Sequence, residues 1–167
     1  PIPENGTGSS VLEKIVSGGQ SGADRAALDI AVELGLATGG WVPRGRRAED
    51  GRIPERYEGL RETGSGAYAT RTERNVRDSD ATLVFGFGSP SGGSELTARL
   101  ARRLGRPLLV LDLSQCTSEA AATRVRAWLA EKETRILNVA GPRASREPAI
   151  AEATARILRE ALRSPDS

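Results

Sequence analysis

The sequence predicts an α/β fold: a three-layer Rossmann-like sandwich whose parallel sheet of about five strands, in the order 2-1-3-4-5, carries helices on both faces. Three observations predict it. Short apolar runs alternate with longer amphipathic segments, the apolar runs are continuous as in strands buried on both faces, and glycine-rich turns follow two of them. The length of 167 residues suits one domain.

The individual elements follow from local patterns. Ala27, Ile30 and Leu34 repeat at the spacing of one buried helical face, and Gly35 is suited to end that helix.

Residues 1–10 have neither a basic start nor an apolar stretch, which predicts a flexible tail rather than a signal peptide, and residues 11–167 form the single ligand-binding domain. The predicted strands are residues 14–17, 38–42, 81–86, 107–112 and 134–140, and the predicted helices are residues 22–35, 70–79, 93–105, 118–132 and 145–163.

Two glycine-rich loops follow the first and third predicted strands. In the expected strand order the sheet changes direction between these strands, and ligands of such sheets bind outside their carboxyl ends. The loops are SGGQSGAD, residues 17–24, and GFGSPSGG, residues 86–93. The sequence is therefore rich in glycine at both places where this architecture predicts a ligand.

The first loop has two interpretations that can hold together. The backbone N–H groups of Gly18, Gly19 and Gly22 can face a phosphate, with hydroxyl donors from Ser17 and Ser21. Alternatively, the pattern S-x-x-D at residues 21–24 is a capping box and the glycines only make a tight turn. Ser17 stands in the place of the first glycine of the dinucleotide fingerprint and no acidic residue ends the second predicted strand, which argues against NAD and FAD. The loop also lacks the Lys-Ser/Thr pair that closes a P-loop.

The second loop predicts another anion site at a helix start, because Ser94 and Thr97 add hydroxyl donors where the helix dipole is positive. Glu95 in the same turn would repel a phosphate unless it points away. In the segment of residues 70–84, Thr70 and Glu73 fit a capping box, so that Arg71, Arg74 and Asn75 would lie on the first turns of a helix.

Residues 43–69 form a long polar connection without clear periodicity. It can be a lid that closes over an anion with residues such as Arg44 and Arg46, a solvated loop, or a nucleic-acid surface. Acidic residues are interleaved with its arginines, which argues against nucleic acid as a partner.

Composition excludes several classes of mechanism. The chain has no histidine and one cysteine, Cys116, which excludes histidine-dependent nucleophilic catalysis, an internal disulfide and nearly every zinc site. No catalytic residue and no metal ligand is predicted. The single cysteine favours a cytoplasmic setting, and no apolar run approaches the ~20 residues of a membrane span. The excess of arginine suits an anionic small molecule with a phosphate.

Five stretches, in collinear order from residue 14 to about 146, give the chain a resemblance to the molybdenum carrier family. They are SGGQSGADRAALDIA, GGWVPRGRRAEDGRIPERY, TRTERNVRDSDATLVFG, GGSELT and ILNVAGPRAS. This family is similar to the lysine-decarboxylase-like phosphoribohydrolases, which share its Rossmann-like fold.

The resemblance implies binding of the molybdenum cofactor (Mo-molybdopterin), for storage, protection or delivery to molybdoenzymes, and self-association as a dimer or tetramer. Arg71 matches the arginine of the phosphoribohydrolases, but Thr97 stands where their motif has its catalytic glutamate, which favours a binding protein over an enzyme. A phosphoribohydrolase-like enzyme acting on a nucleoside monophosphate, and a sensor of a nucleotide such as AMP, stay open as alternatives. The candidate binding residues are Ser17, Gly18, Gly19, Gln20, Ser21, Gly22, Asp24, Arg44, Arg46, Arg71, Asn75, Gly92, Gly93, Ser94 and Thr97.

Overall fold

A computed structural model describes residues 11–64 and 68–163 of the chain, so the predicted tail at residues 1–10 lies outside the described residues. Its strands are β1 Lys14–Val16, β2 Ala37–Val42, β3 Arg47–Ala48, β4 Gly51–Arg52, β5 Leu60–Glu62, β6 Ala81–Gly86, β7 Leu108–Asp112 and β8 Ile136–Ala140. Its helices are α1 Ala23–Glu33, α2 Tyr68–Arg77, α3 Gly92–Arg103, α4 Ser118–Glu131 and α5 Ile150–Leu162, with a 3₁₀ turn at Arg44–Arg46.

The central sheet confirms the fold class, and it has six parallel strands in the order β5-β2-β1-β8-β6-β7. Helices α1, α4 and α5 pack together on one face, and α2 packs against α3 on the other. The main hydrophobic core lies under α1, α4 and α5, where Ile15, Phe85 and Leu137 are fully buried.

The predicted strand order is wrong at one position. The last strand, β8, was expected at an edge of the sheet, but it lies between β1 and β6 and pairs in parallel with both. Leu137 and Val139 of β8 are fully buried, as a central position requires. Consequently the loop after β8, residues 141–149, lies between the two glycine-rich loops.

The connection between β2 and α2 is also more ordered than its sequence predicts. It contains the antiparallel hairpin of β3 and β4 and the edge strand β5, which pairs with β2. Ile53 and Tyr57 of this connection are buried against Leu28 and Val42 in a second hydrophobic cluster. An irregular loop over residues 43–64 is therefore the wrong description, and residues 65–67 lie outside the described part of the chain.

Three helix starts differ from the prediction. Helix α2 begins at Tyr68, so Thr70 lies inside the helix and cannot form the predicted capping box; Glu73 instead pairs with Arg77 one turn later. Helix α5 begins at Ile150 rather than at residue 145, because the preceding residues form the loop after β8. Helix α1 has Gly22 as its N-cap without a side-chain cap, so the capping box at residues 21–24 is absent. No helix within the described ranges is both long and apolar enough to span a membrane.

Candidate functional site

Two adjoining cavities lie at the carboxyl ends of β1, β8 and β6. The larger cavity, the outer chamber, has a volume of about 700 Å³, and the smaller one, the inner chamber, has a volume of about 40 Å³. Tyr68, Gly93, Ser94 and Gly141 line both of them. The two cavities are thus parts of one site, with a small compartment beside a large one.

The inner chamber brings together both glycine-rich loops and α2. Of the predicted binding residues, it is lined by Gly18, Gln20, Asp24, Arg71, Asn75, Gly93, Ser94 and Thr97. The outer chamber adds Gly92. The role of these residues in binding stays a prediction.

Arg71 is a buried cation without a hydrogen-bond acceptor. Its side chain, on α2, is only 9% exposed. The guanidinium stacks on the ring of Tyr68, 5.1 Å from its centroid, and burial lowers the pKa of Arg71. Among the described residues, no oxygen accepts a hydrogen bond from this guanidinium and no carboxylate lies within ion-pair distance of it. Because a buried charge needs a partner, the inner chamber is suited to an anion.

Asp24 faces Arg71 across the inner chamber. Its Oδ2 atom accepts a hydrogen bond from the backbone N–H of Gln20 at 3.3 Å. Loss of water around the carboxyl raises the pKa of Asp24 from 3.8 to about 7, although the Gln20 N–H, Arg143, Arg25 and Arg71 oppose this rise. The carboxyl of Asp24 and the guanidinium of Arg71 therefore influence each other electrostatically without touching.

Several backbone donors of the first glycine-rich loop are already bonded within the protein. The N–H of Gly19 donates to Ser17 Oγ, the N–H of Gln20 donates to Asp24, and the N–H of Ala23 donates to the carbonyl of Pro142. The first turn of α1 also carries the acidic Asp24. The N–H groups of Gly18 and Gly22 donate to no group in the described part of the chain, so their contact with a phosphate stays a prediction.

The start of α3 offers further donors. No group in the described ranges accepts a hydrogen bond from the N–H of Gly92 or Gly93, or from the hydroxyl of Ser94. A side chain at Gly93 would collide with Tyr68, since a Cβ there would lie 2.1 Å from its phenol oxygen. Glycine thus permits the close approach of Tyr68 that forms the wall between the two chambers.

Thr97 lies one turn further along α3. Its hydroxyl donates to the carbonyl of Gly93 at 2.9 Å, and its side chain is buried against the inner chamber. A threonine bonded in this way has no capacity to act as a general base.

The outer chamber contains residues that the sequence analysis missed. Arg143, Ser145, Arg146 and Glu147 come from the loop after β8, and exposed Phe87 comes from the loop after β6. The misplaced β8 explains the omission, because a strand at the sheet edge would hold this loop away from the ligand. The sequence could have indicated that this loop lies near the ligand, because the stretch GPRAS directly follows a strand with the pattern of a buried parallel strand.

Glu49 joins three parts of the outer chamber wall. It accepts hydrogen bonds from the hydroxyl of Ser21, from the backbone N–H of Ser145 at 3.1 Å and from the hydroxyl of Ser145 at 2.6 Å. These bonds lower the pKa of Glu49, the largest effect coming from the hydroxyl of Ser145. The hairpin of β3 and β4 is thus tied to the loop after β8.

Six predicted residues line neither chamber. Ser17 donates to the carbonyl of Asp24, and Ser21 accepts from the N–H of Ala144. Arg46 is buried and donates to the carbonyls of Ile53 and Pro54. The six residues are Ser17, Gly19, Ser21, Gly22, Arg44 and Arg46.

Asn75 borders the inner chamber, but its amide is already occupied. Its Oδ1 accepts from the N–H of Trp41 at 2.7 Å, and its Nδ2 donates to the Trp41 carbonyl at 3.1 Å. Asn75 therefore fastens α2 to β2. Among the residues that the structure describes, no cluster of three carboxylate or cysteine side chains could hold a metal ion.

Comparisons with known proteins assign the chain to a family. The model of the circularly permutated YpsA SLOG family matches residues 15–162. A crystal structure from Syntrophus aciditrophicus SB, of a protein named "Putative molybdenum carrier protein", is 46% identical and superposes with a TM-score of 0.89, covering 92% of this chain and 97% of that chain. No curated protein matches the sequence. The match over residues 15–162 shows that the chain belongs to the circularly permutated YpsA SLOG family.

Proposed function

We propose that this chain binds the molybdenum cofactor, a phosphorylated pterin whose dithiolene holds molybdenum, and carries it for storage, protection or delivery. One observation carries the proposal: the buried guanidinium of Arg71 has no acceptor among the described residues and faces a chamber that opens into a ligand-sized cavity. The name of the similar protein from Syntrophus aciditrophicus SB supports molybdenum as the cargo.

The dimensions and donors of the two chambers suit the two ends of this ligand. The inner chamber offers a terminal phosphate the guanidinium of Arg71, the hydroxyl of Ser94 and the N–H groups at the start of α3. The outer chamber, at about 700 Å³, lies within the usual range of ~300–1,000 Å³ for small-molecule sites. There, the carboxylate of Glu147 can accept hydrogen bonds from the N–H donors of a pterin.

The protein's donors suit a metal that arrives with its own ligands. The chain has no histidine, and the thiol of Cys116 donates to the carbonyl of Asp112 and lines neither chamber. Arg143 and Arg146 in the outer chamber can bind oxyanion or oxo groups by hydrogen bonds. Molybdenum would therefore stay on the dithiolene of the pterin while the protein holds the organic part and the phosphate.

A second candidate function is hydrolysis of a nucleoside monophosphate, and the position of Asp24 favours it. Two other carboxylates of α2 and α3 do not line the inner chamber: Glu73 pairs with Arg77, and Glu95 is exposed. Among the described residues, Asp24 is the one carboxylate that lines this chamber together with Arg71. A carboxyl with a pKa of about 7 could act as a general acid or base near neutral pH.

Anaerobic ultrafiltration with isolated molybdenum cofactor tests the first function. The assay measures pterin and molybdenum retained per chain for the natural protein and for Arg71→Gln, with Arg74→Gln as the matched control. Arg74 lies on the same helix but stacks on Trp41 at the surface. We expect saturable retention by the natural protein and by Arg74→Gln, and at least a tenfold loss in Arg71→Gln, which removes a charge-assisted contact.

A competition experiment separates the two candidates. AMP in excess should displace little cofactor if the site is built for the pterin, and AMP should be recovered intact. If the cofactor passes through the filter while AMP is retained or cleaved, the carrier function is refuted. Hydrolysis that is lost in Asp24→Asn would then support the enzyme.

A further inference from the structure

Asp24 and Arg71 carry opposite charges, line the same small chamber and nevertheless do not form an ion pair. Both residues are described, and each contacts other groups: Oδ2 of Asp24 accepts from the N–H of Gln20, and Arg71 stacks on Tyr68. Their effect on each other is electrostatic only. The chamber that both side chains line, about 40 Å³ in volume, is therefore available to a third group.

The volume of the inner chamber suits one tetrahedral oxyanion. A water molecule needs roughly 10–15 Å³ of such space, so the chamber accommodates about three waters or one group with four oxygens around a central atom. Arg71, Ser94 and the N–H group of Gly93 provide hydrogen-bond donors for such a group.

An ionised carboxylate at Asp24 would oppose the anion that Arg71 attracts. Two anionic oxygens at hydrogen-bond distance repel each other, unless a proton lies between them. That proton can come from the ligand, when the anion still carries one, or from Asp24, when the anion has none. Asp24 can thus distinguish anions by their protonation.

We propose that the inner chamber binds a tetrahedral oxyanion together with one proton shared between the anion and Asp24, so that Asp24 is a specificity-determining residue. The proposal rests on the proposed function only for the identity of the anion, the terminal phosphate of the cargo. A phosphomonoester is largely a dianion above its second pKa of about 6, so near neutral pH the shared proton must come from Asp24 and ultimately from solvent. Above the pKa of Asp24, where the carboxyl of the ligand-free protein is ionised, binding would then take up about one proton from solvent, and a rise in pH would favour release.

The charged and titratable groups around Asp24 support this coupling. Arg25 on α1 is held by Asp50 and by the carbonyl of Gly19, so it is not free to neutralise Asp24. Tyr68 and Arg71 face Asp24 from α2, and Arg143 faces it from the loop after β8. The remaining polar residues that line the chamber, from α3 and β8, are uncharged: Ser94, Thr97 and Asn138.

Isothermal calorimetry with sodium sulfate and inorganic phosphate tests the proposal on the full chain. Sulfate has no proton in the range of pH 5.5–8.5, whereas phosphate keeps one. For the natural protein, we expect the Kd of sulfate to rise about tenfold per pH unit above the pKa of Asp24, about 7, and to level off below it. Phosphate should lose much less affinity between pH 7.5 and 8.5. Titrations in two buffers of different ionisation enthalpy should show uptake of about one proton with sulfate at pH 8.

Two variants identify the group responsible. In Asp24→Asn, sulfate binding should become independent of pH and, at pH 8, at least about tenfold tighter than in the natural protein. Glu95→Gln removes an equal charge from the exposed side of the first turn of α3 and should behave as the natural protein does. Arg71→Gln should lose both anions.

Several results would overturn the proposal. If the natural protein bound sulfate with equal affinity at pH 6 and pH 8, the shared proton would be refuted. If Arg71→Gln still bound sulfate, the place of the anion in the inner chamber would be refuted. The result of the calorimetry can be distinguished from the result of the ultrafiltration experiment with molybdenum cofactor. Cofactor retention without proton-coupled sulfate binding would refute the shared proton alone, and proton-coupled sulfate binding without cofactor retention would refute the cargo alone.

Discussion

The carboxyl of Asp24 should lower the stability of the ligand-free protein as the pH rises. Its folded-state pKa of about 7 lies well above the value of 3.8 for a free aspartate. Below pH 3.8 the carboxyl is protonated in both the folded and the unfolded chain, and its contribution to the free energy of unfolding is then fully present. Between these two pKa values the folded chain holds a proton that the unfolded chain has lost. The free energy of unfolding therefore falls with pH across this window and is level again above pH 7.

The size of this effect follows from the two pKa values. A rise from 3.8 to about 7 corresponds to about 4 kcal/mol between the two protonation states. The carboxyl borders a chamber that opens to solvent, which moderates the energy of ionisation, so we expect about 2–4 kcal/mol. Asp24→Asn cannot ionise but keeps an oxygen for the N–H of Gln20, so it should not show this loss.

Urea denaturation of both proteins at pH 4, 5.5, 7 and 8.5 measures the effect. The stability of Asp24→Asn relative to the natural protein should increase by about 2–4 kcal/mol from pH 4 to pH 8.5, mostly below pH 7. Glu95→Gln again provides the control, because its exposed carboxyl should give a difference that changes little with pH. A constant difference for Asp24→Asn across the four pH values would refute the assignment of a raised pKa to Asp24.

Four further substitutions test the fold and the anion site. Gly22→Ala should destabilise by about 3 kcal/mol or more in urea denaturation, because φ is +82° and a Cβ would lie 2.4 Å from a backbone carbonyl of the loop after β8. Gly35→Ala, with φ +74° but open space around it, should cost only about 1–2 kcal/mol; equal losses would contradict the close contact. Ile53→Ala should cost about 2–5 kcal/mol, whereas a mobile lid would lose almost nothing. Thr97→Glu should weaken sulfate binding at least about tenfold, because it sets a second carboxylate beside Arg71; unchanged affinity would place the anion elsewhere.

The sequence predicts the layers of the fold better than the order of its strands. The alternation of apolar runs with amphipathic segments identifies α1 and the principal strands. It does so because the spacing of apolar residues within each segment depends on which side chains of that segment are buried. Strand order depends instead on which strands pair across long stretches of chain. The pattern of β8 suits any buried position, and only its pairing with β1 and β6 shows that it is central.

The difference between local patterns and long-range strand pairing also decides which residues of the site the sequence predicts. Gly18, Gly93 and Arg71 are predicted from local motifs and line the inner chamber. Arg143 and Arg146 are missed because their place depends on the position of β8. The first loop shows the limit of a local motif. Its glycines predict a phosphate-binding role, but the sequence cannot show that the N–H of Ala23 donates to the carbonyl of Pro142, more than a hundred residues away.

Comparison among the arginines supports a functional interpretation of the gap between Asp24 and Arg71. Arg25 and Arg46 are also withdrawn from solvent, yet both are fully engaged: Arg25 by Asp50 and the carbonyl of Gly19, and Arg46 by the carbonyls of the 43–64 connection. The fold therefore provides acceptors for buried arginines where their role is structural. A buried guanidinium left without one costs several kcal/mol, and an ion pair with Asp24 would recover part of that cost. The separation persists because Tyr68 stacks on one group and the N–H of Gln20 holds the other. Such an arrangement stabilises the complex with an anion more than the empty protein, as a binding site requires.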